Sequence, residues 1–365
     1  MEVSDCSWES SARELSPTNG IGGVKRIIVL GGFGFFGGMI VRQLRAEGFA
    51  PLLGSRRSQA DVVLDIHDPD SIRAVLRNGD IVVDAVGPYQ DRGPTLIQAA
   101  IDVGFDVIDL ADSLRYVQQV YRLQDEIDAS TCHIFTACST VSAISAASLQ
   151  LSGLRRPRRI SGFLVPSTKY TAVKGTAVSL LRSVGQPVEV YHDASLQTRI
   201  GWRSARSFHM PKPIGRVKGR LFESADAVTL PPRWPTLETV DYYVSTNVIG
   251  LNQMFTLASY SRWMRRLLNR YHQYGLSLSR FLGHPYGGVG YEVVGENDEA
   301  VAITYTSNDH GYIIPIAPAI LAVRKLAAGN LSFRGLIPGD QQLDPHELIE
   351  FLENHGVTYR RVSPG

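Results

Sequence analysis

An apolar segment that runs directly into closely spaced glycines constrains this chain more than any other feature. It reads Lys25-Arg-Ile-Ile-Val-Leu-Gly-Gly-Phe-Gly-Phe-Phe-Gly-Gly38, and its β-branched run is typical of a buried parallel strand. Helical periodicity follows in Met39-Ile-Val-Arg-Gln-Leu44. A strand, a glycine turn and a helix in this order predict the first unit of a dinucleotide-binding sheet.

The glycine spacing predicts where the pyrophosphate of a dinucleotide binds. Gly32, Gly34 and Gly37 form G-x-G-x-x-G, which provides a tight turn, a close approach to the pyrophosphate and close packing of helix on strand. The pyrophosphate would lie at the N-terminus of a helix over residues 35–46, where unpaired N–H groups and the helix dipole favour an anion. The predicted cofactor-binding residues of this turn are Gly32, Phe33, Gly34, Phe35, Phe36 and Gly37.

The end of the second predicted strand indicates which dinucleotide is bound. An NAD site places an acidic residue there to accept a hydrogen bond from the ribose 2′-OH. This chain has Ser55, Arg56 and Arg57 instead, and two guanidinium groups with a hydroxyl suit a 2′-phosphate. The residues therefore predict NADP as the cofactor, with Asp65 on the adenine side.

Strands and helices alternate from residue 24 to about residue 140, which predicts a doubly wound parallel sheet. Beyond it, strand-like segments rich in aromatic and arginine side chains predict an α+β domain on a mixed sheet. We therefore expect an α/β protein with a Rossmann fold and a second α+β domain. The predicted divisions are a loosely ordered arm over 1–23, an NADP-binding domain over 24–145, a substrate and dimerisation domain over 146–330, and a C-terminal segment over 331–365 that packs back on the first domain.

The ends of the later strands carry the candidate chemistry, because ligands of open parallel sheets bind there. Ala85, Val86, Gly87 and Pro88 are predicted to lie on the nicotinamide side of the cofactor. Tyr89 can stack on the nicotinamide ring or donate a proton. Asp112 is a candidate acid or base and equally a candidate N-cap of the next helix.

Composition narrows the class of protein. Hydrophobic residues make up 44% and charged residues 20%, with a net charge of +2, which favours neither a nucleic-acid partner nor an acidic scaffold. Cys6, Cys132 and Cys138 have no metal-ligand or disulfide spacing, so no metal site is predicted and a reducing compartment, the cytoplasm, is expected. No apolar run reaches the length of a membrane span, so integral membrane association is not expected. A small-molecule substrate is the predicted partner, and a homodimer stays open.

The order of these motifs resembles the saccharopine dehydrogenase-like family. The resemblance rests on the glycine turn, Gly54-Ser-Arg-Arg57, Asp84-Ala-Val-Gly-Pro-Tyr89 and Gly104-Phe-Asp-Val-Ile-Asp-Leu110, and it is tightest over residues 25–140. The chain departs from the family where Asp84 replaces an asparagine and where Ala111-Asp112-Ser113 replaces Ser-Gly-Glu. The resemblance implies an NAD(P)-dependent oxidoreductase that moves a hydride to or from a small substrate between its domains, without naming that substrate.

Two other interpretations stay open. Tyr170 and Lys174 form Tyr-x-x-x-Lys, the acid/base pair of extended short-chain dehydrogenases, although too many elements separate it from the fifth strand. A non-catalytic NADP-binding regulator or adaptor would keep the cofactor site without the chemistry. A basic amphipathic stretch over residues 262–270 is predicted to pack in the second domain or against another subunit, with an anionic lipid surface as the alternative.

Overall fold

The first unit is a seven-stranded parallel sheet. The computed structural model describes residues 25–329, 331 and 334–362, and the predicted arm over residues 1–23 lies outside them. The strand before the glycine turn, Ile27–Leu30, is buried along its whole length, as its apolar sequence requires. The strands are β1 (Ile27–Leu30), β2 (Leu52–Ser55), β3 (Val62–Val63), β4 (Ile81–Asp84), β5 (Asp106–Asp109), β6 (His133–Phe135) and, from the end of the chain, β15 (Gly335–Leu336).

The order of these strands creates a binding crevice. They run β15-β6-β5-β4-β1-β2-β3 across the sheet, so the chain moves outward from β1 in one direction and returns to its other side at β4. This reversal confirms the predicted doubly wound fold. In such sheets the ligand lies beyond the carboxyl ends of the two strands that flank the reversal.

The helices cover both sheets. Asp68 and Asp344 act as N-caps of the second and the last helix, where their carboxylates accept backbone N–H groups. The helices are α1 (Phe35–Ala46), α2 (Pro69–Val75), α3 (Thr95–Val103), α4 (Leu114–Tyr121), α5 (Gln124–Ala129), α6 (Ala143–Ser152), α7 (Thr168–Thr171), α8 (Lys174–Ser183), α9 (Asp226–Thr229), α10 (Leu251–Tyr260), α11 (Arg262–Leu282), α12 (Ala317–Ala328), α13 (Gly339–Gln342) and α14 (Pro345–Asn354), with 3-10 turns at Tyr89–Asp91 and Gly311–Ile316.

A mixed sheet of nine strands forms the second unit, as the sequence predicts. Its core order is β10-β11-β12-β7-β13-β14-β16, and β8 pairs with both β12 and β9. Among the described strands of this second sheet, only β12 and β7 pair in parallel. The strands are β7 (Pro157–Val165), β8 (Pro187–His192), β9 (Ser195–Ile200), β10 (Ala205–His209), β11 (Arg216–Phe222), β12 (Thr239–Val244), β13 (Gly287–Gly295), β14 (Ala300–Ser307) and β16 (Val357–Val362).

The end of the chain contacts both sheets. β15 pairs with β6 of the first sheet, and β16 pairs with β14 of the second. The segment Gly311–Ala328 is the one stretch among the described residues whose length and composition would allow it to cross a membrane, and most of it is buried in the protein. Its helix α12 packs on β4 and β5, so this segment forms part of the core.

Candidate functional site

The glycine turn after β1 leaves the N-terminus of α1 open to a ligand. Gly31 has a φ of +77°, and its carbonyl accepts the N–H of Gly34 at 2.7 Å. A Cβ atom at Gly37 would overlap the Gly31 carbonyl oxygen, which explains the glycine there. No side chain caps α1, so its first N–H groups are available to an anion. The residues present therefore fit a pyrophosphate.

One detail of the turn corrects the sequence interpretation. The left-handed backbone conformation belongs to Gly31 and not to Gly32, the glycine predicted to make the tight turn. Gly32 instead leaves room for Leu53 of β2, whose Cγ lies 3.1 Å from the position of an added Cβ. Two adjacent glycines give no local signal that decides which of them turns.

The residues predicted to recognise a 2′-phosphate lie together at the end of β2. The Arg57 guanidinium lies 5.3 Å from the centroid of the Phe33 ring, and the Arg57 N–H donates to Ser55 Oγ at 3.2 Å. Arg56 Nη1 lies 3.8 Å from Asp65 Oδ2, and the Arg56 side chain is 72% exposed. Two guanidinium groups at this edge, one of them largely exposed, suit a bound phosphate.

A cavity of about 470 Å³ lies between the two sheets at the carboxyl ends of the first. Its size is that of a ligand site. Lys174 is the single cationic side chain among the described residues that line it, whereas Asp112 and Glu223 supply carboxylates. The first domain contributes Gly34, Phe35, Phe36, Ala85, Gly87, Pro88, Tyr89, Leu110, Asp112, Ser139, Thr140 and Val141; the rest of the lining is Leu164, Val173, Lys174, Gly175, Thr176, Ser179, Leu180, Phe222, Glu223, Tyr242, Val244 and Pro315.

Asp112 joins the two domains at the wall of this cavity. Its Oδ2 accepts the hydroxyl of Ser179 from α8 at 2.6 Å, and its Oδ1 accepts the Gln90 amide at 3.3 Å. Burial raises the pKa of Asp112, which favours the protonated acid. The N-cap of α4 is Ser113, so the structure excludes the capping alternative for Asp112.

The Tyr89 hydroxyl is held by two backbone groups. Its hydroxyl donates to the Asp84 carbonyl at 2.6 Å and accepts the Leu110 N–H at 3.1 Å. Burial raises the pKa of Tyr89 well above its usual value. The hydroxyl thus bridges β4 to the residue after β5 at the wall of the cavity, which Tyr89 lines. Its role as a proton carrier stays a prediction.

Asp84 and Arg92 form a buried ion pair beneath the cavity, which no sequence pattern indicated. Arg92 Nη2 lies 2.5 Å from Asp84 Oδ2 and Nη1 lies 3.2 Å from Oδ1, with the Asp84 side chain fully buried. Arg92 also donates to the Val86 carbonyl, and the Val86 N–H donates to Asp84. The backbone of Val86 therefore supports this pair, and its predicted contact with the nicotinamide stays a prediction.

The fold places Tyr170 and Lys174 apart from each other. The Tyr170 hydroxyl on α7 donates to Asp309, whereas Lys174 begins α8 and lines the cavity. This Tyr-x-x-x-Lys pair spans two helices, so the short-chain dehydrogenase alternative fails. Cys138 is buried, and burial raises the pKa of its thiol, which leaves it unreactive. Among the described residues, no cluster of three or more metal-ligating side chains occurs.

Glu223 is a site residue that the sequence interpretation missed. It follows β11 directly, lines the cavity opposite the first domain, and has a pKa raised by burial. Its Oε1 accepts the Glu189 N–H at 3.4 Å. The only available signal was an acidic residue directly after a predicted strand, and nothing local relates that strand to the nucleotide fold.

The buried carboxyl of Asp109, at the end of β5, should make the stability of the protein depend on pH. Burial, opposed by hydrogen bonds from the Ala137 and Ala111 N–H groups, raises its pKa to about 6 from 3.8. A raised carboxyl pKa stabilises the folded state most at low pH, and this contribution is lost as the pH rises through about 6. We expect the free energy of unfolding of the wild type, relative to Asp109→Asn, to fall by about 3 kcal/mol between about pH 4 and pH 7.

Urea unfolding of both proteins across that window measures the effect. Asp125→Asn, at an exposed position on α5, is the matched control, and it should follow the wild type at each pH. A difference between wild type and Asp109→Asn that stays constant with pH would show that Asp109 ionises normally in the folded protein.

Comparison with known proteins agrees with the motifs. No family model matches the chain. A probable mitochondrial saccharopine dehydrogenase-like oxidoreductase of Arabidopsis thaliana is 24% identical over an alignment of 152 positions, which covers 34% of this chain and 34% of that protein. The match thus spans about a third of that relative's length.

A solved structure extends the similarity to nearly the whole fold. The apo saccharopine dehydrogenase (L-Glu forming) of Saccharomyces cerevisiae superposes with a TM-score of 0.59 and 13% sequence identity, over 93% of this chain and 100% of that one. The resemblance identified in the sequence is therefore confirmed: the chain is similar to saccharopine dehydrogenase-like proteins in part of its sequence and in its fold.

Proposed function

We propose that the chain is an NADP-dependent oxidoreductase that transfers a hydride between the nicotinamide and a substrate bound in the cavity between the two sheets. One observation carries this proposal. The uncapped N-terminus of α1, the arginines after β2 and the cavity all lie at the same carboxyl edge of the parallel sheet. A dinucleotide that follows this edge has its 2′-phosphate at the arginines and its nicotinamide at the cavity.

The proposal assigns the nucleotide contacts to residues of this chain. Gly34 and the first turn of α1 would hold the pyrophosphate, and Gly32 and Gly37 would shape this turn by leaving room for Leu53 and the Gly31 carbonyl. Ser55, Arg56 and Arg57 would hold the 2′-phosphate, and Asp65 the adenine side. Phe35 and Phe36 and the backbone of Ala85, Gly87 and Pro88 would lie beside the nicotinamide. The bound cofactor supplies the hydride chemistry.

The lining of the cavity indicates the kind of substrate. Leu110, Val141, Leu164, Leu180 and Phe222 give it a mostly apolar wall, against one cation and two carboxylates. A substrate that carries several carboxylates would find a single lysine there to balance its charges. We infer a substrate with a largely apolar body and a reacting C–N, C=O or C=C carbon.

Asp112 would handle the proton that accompanies the hydride. Its carboxyl is held in place by Ser179 and Gln90, and its raised pKa keeps it protonated to a higher pH than an ordinary aspartate. A positioned acid of this kind lowers the barrier to proton transfer.

Titration of the protein with NADPH and NADH tests the cofactor assignment. Arg56→Ala removes a charge-assisted contact, so NADPH affinity should fall about 10- to 100-fold while NADH affinity stays unchanged. Arg56→Lys should recover part of the affinity because it keeps the charge without the planar fork. Arg115→Ala, at an exposed arginine on α4, is the matched control. Equal affinity of the wild type for the two dinucleotides would refute NADP preference.

A further inference from the structure

The outer surface of α10 and α11 is apolar and exposed, although it belongs to a well-packed part of the second domain. Ile249, just before α10, is 88% exposed and Trp263 on α11 is 69% exposed. We call this surface the α10–α11 face and define it by the apolar residues Ile249, Met254, Leu257, Tyr260, Trp263 and Leu267 and the basic residues Arg262 and Arg266.

The inner sides of the same helices pack against the protein. Met264 and Leu268 of α11 pack against a small core that contains Trp202 and Phe255. Ser261 separates the two helices and caps α11 by accepting the Met264 N–H. The helices are therefore held by their inner residues, and the α10–α11 face is additional apolar surface that folding does not use.

The segment that forms this face carries arginines and no acidic residue. Between Asp241 and Glu292 the sequence contains no aspartate or glutamate, whereas α11 carries five arginines. Arg265 donates to the carbonyls of Ala258 and Ser259. In the part of the chain that the structure describes, Arg262 and Arg266 form no ion pair, and with Arg265 they line a basic cavity of about 480 Å³ at the start of α11.

We propose that the α10–α11 face docks the protein on an anionic lipid bilayer. Tryptophan, tyrosine and leucine side chains would enter the boundary between head groups and acyl chains, and the arginines beside them would meet lipid phosphates. Arg262, Arg265 and Arg266 would hold a head-group phosphate in the basic cavity. This is peripheral binding by an amphipathic surface and does not involve a membrane span.

Charge complementarity favours a bilayer over a second copy of the chain. A two-fold interface places the same patch on both subunits, so Arg262 and Arg266 would face their own copies with no acidic residue of residues 242–291 to compensate. An anionic bilayer neutralises the same charges.

The face is connected to the cavity through α8. Leu180 lines the cavity and also packs with the core under α10 and α11. Docking would thus place the substrate cavity close to the bilayer, although the proposal stands whether or not the chain is an oxidoreductase.

Cosedimentation of the full chain with vesicles tests the proposal. Phosphatidylcholine vesicles that contain phosphatidylglycerol should bind the wild type at least tenfold more tightly than phosphatidylcholine alone, and added salt should weaken the binding. Arg262→Gln with Arg266→Gln should lower the affinity about 30-fold, since each basic residue near such a surface contributes about one kcal/mol. Trp263→Ser should lower it about tenfold.

Two controls and one competing occupant complete the experiment. Val63→Ser and Arg115→Gln change an exposed apolar and an exposed basic residue outside the face and should bind like the wild type. Light scattering on the same proteins reports self-association. No preference for anionic vesicles, or a dimer that Trp263→Ser dissociates without any vesicle binding, would overturn the proposal.

Discussion

Replacing Arg92 by methionine is expected to lower the free energy of unfolding by about 3 to 5 kcal/mol. The reason is the carboxylate that the substitution leaves behind. Asp84 is fully buried, and in the folded protein it depends on two hydrogen bonds from Arg92 at 2.5 and 3.2 Å. Without Arg92, the Asp84 charge stays buried near the Asp109 charge. Solvent does not reach the buried Asp84 carboxylate, so it cannot compensate that charge.

Urea unfolding with Arg115→Met as the matched control measures this effect. That arginine is exposed on α4, so its loss should change stability by less than about 0.5 kcal/mol. The double variant Asp84→Leu with Arg92→Met removes both charges and should recover much of the loss. If Arg92→Met lowers the free energy of unfolding no more than Arg115→Met does, the buried Asp84–Arg92 pair does not stabilise the fold beneath the cavity.

Asp112→Asn is expected to lower kcat by about 100- to 10,000-fold while NADPH affinity stays within a few-fold. The asparagine has nearly the same shape and can still accept a hydrogen bond from Ser179, so only the transferable proton is lost. Because the pKa of Asp112 is raised by burial, the wild type should lose activity as the pH rises through that pKa, and Asp112→Asn should lack this loss.

Glu223→Gln provides the comparison for this variant. Glu223 also lines the cavity and also has a pKa raised by burial, but it accepts the Glu189 N–H, whereas Asp112 is held by Ser179 and Gln90. A large loss of kcat in Glu223→Gln, with Asp112→Asn close to wild type, would move the proton-transfer role to Glu223.

The nucleotide half of the fold was predictable because its signals are local. Continuous apolar runs predicted the buried strands β1, β4 and β5. The glycines directly follow β1, and Ser55-Arg56-Arg57 stands at the end of β2. The second sheet was predictable only in part. Strand β9 reads Ser195–Ile200 without apolar alternation and is mostly exposed, so periodicity gave no sign of it.

The parts of the site that were missed depend on contacts between distant residues. The place of Tyr89 after β4 gave no sign that its hydroxyl accepts the Leu110 N–H, a partner that only the folded sheet brings near. Glu223 reaches the cavity through the second domain, more than 100 residues beyond Asp112 in the sequence. Local patterns therefore located the cofactor edge but not the wall that faces the substrate.

The most direct test of the central claim is consumption of NADPH by the wild-type chain, followed by the absorbance of the reduced nicotinamide. The assay supplies a series of imines, ketones and enoyl compounds with apolar bodies. The account predicts that at least one class is reduced well above the rate without protein, and that NADH supports a much slower reaction. Tight NADPH binding with no turnover of any compound would contradict it and would instead identify a cofactor-binding protein without catalysis.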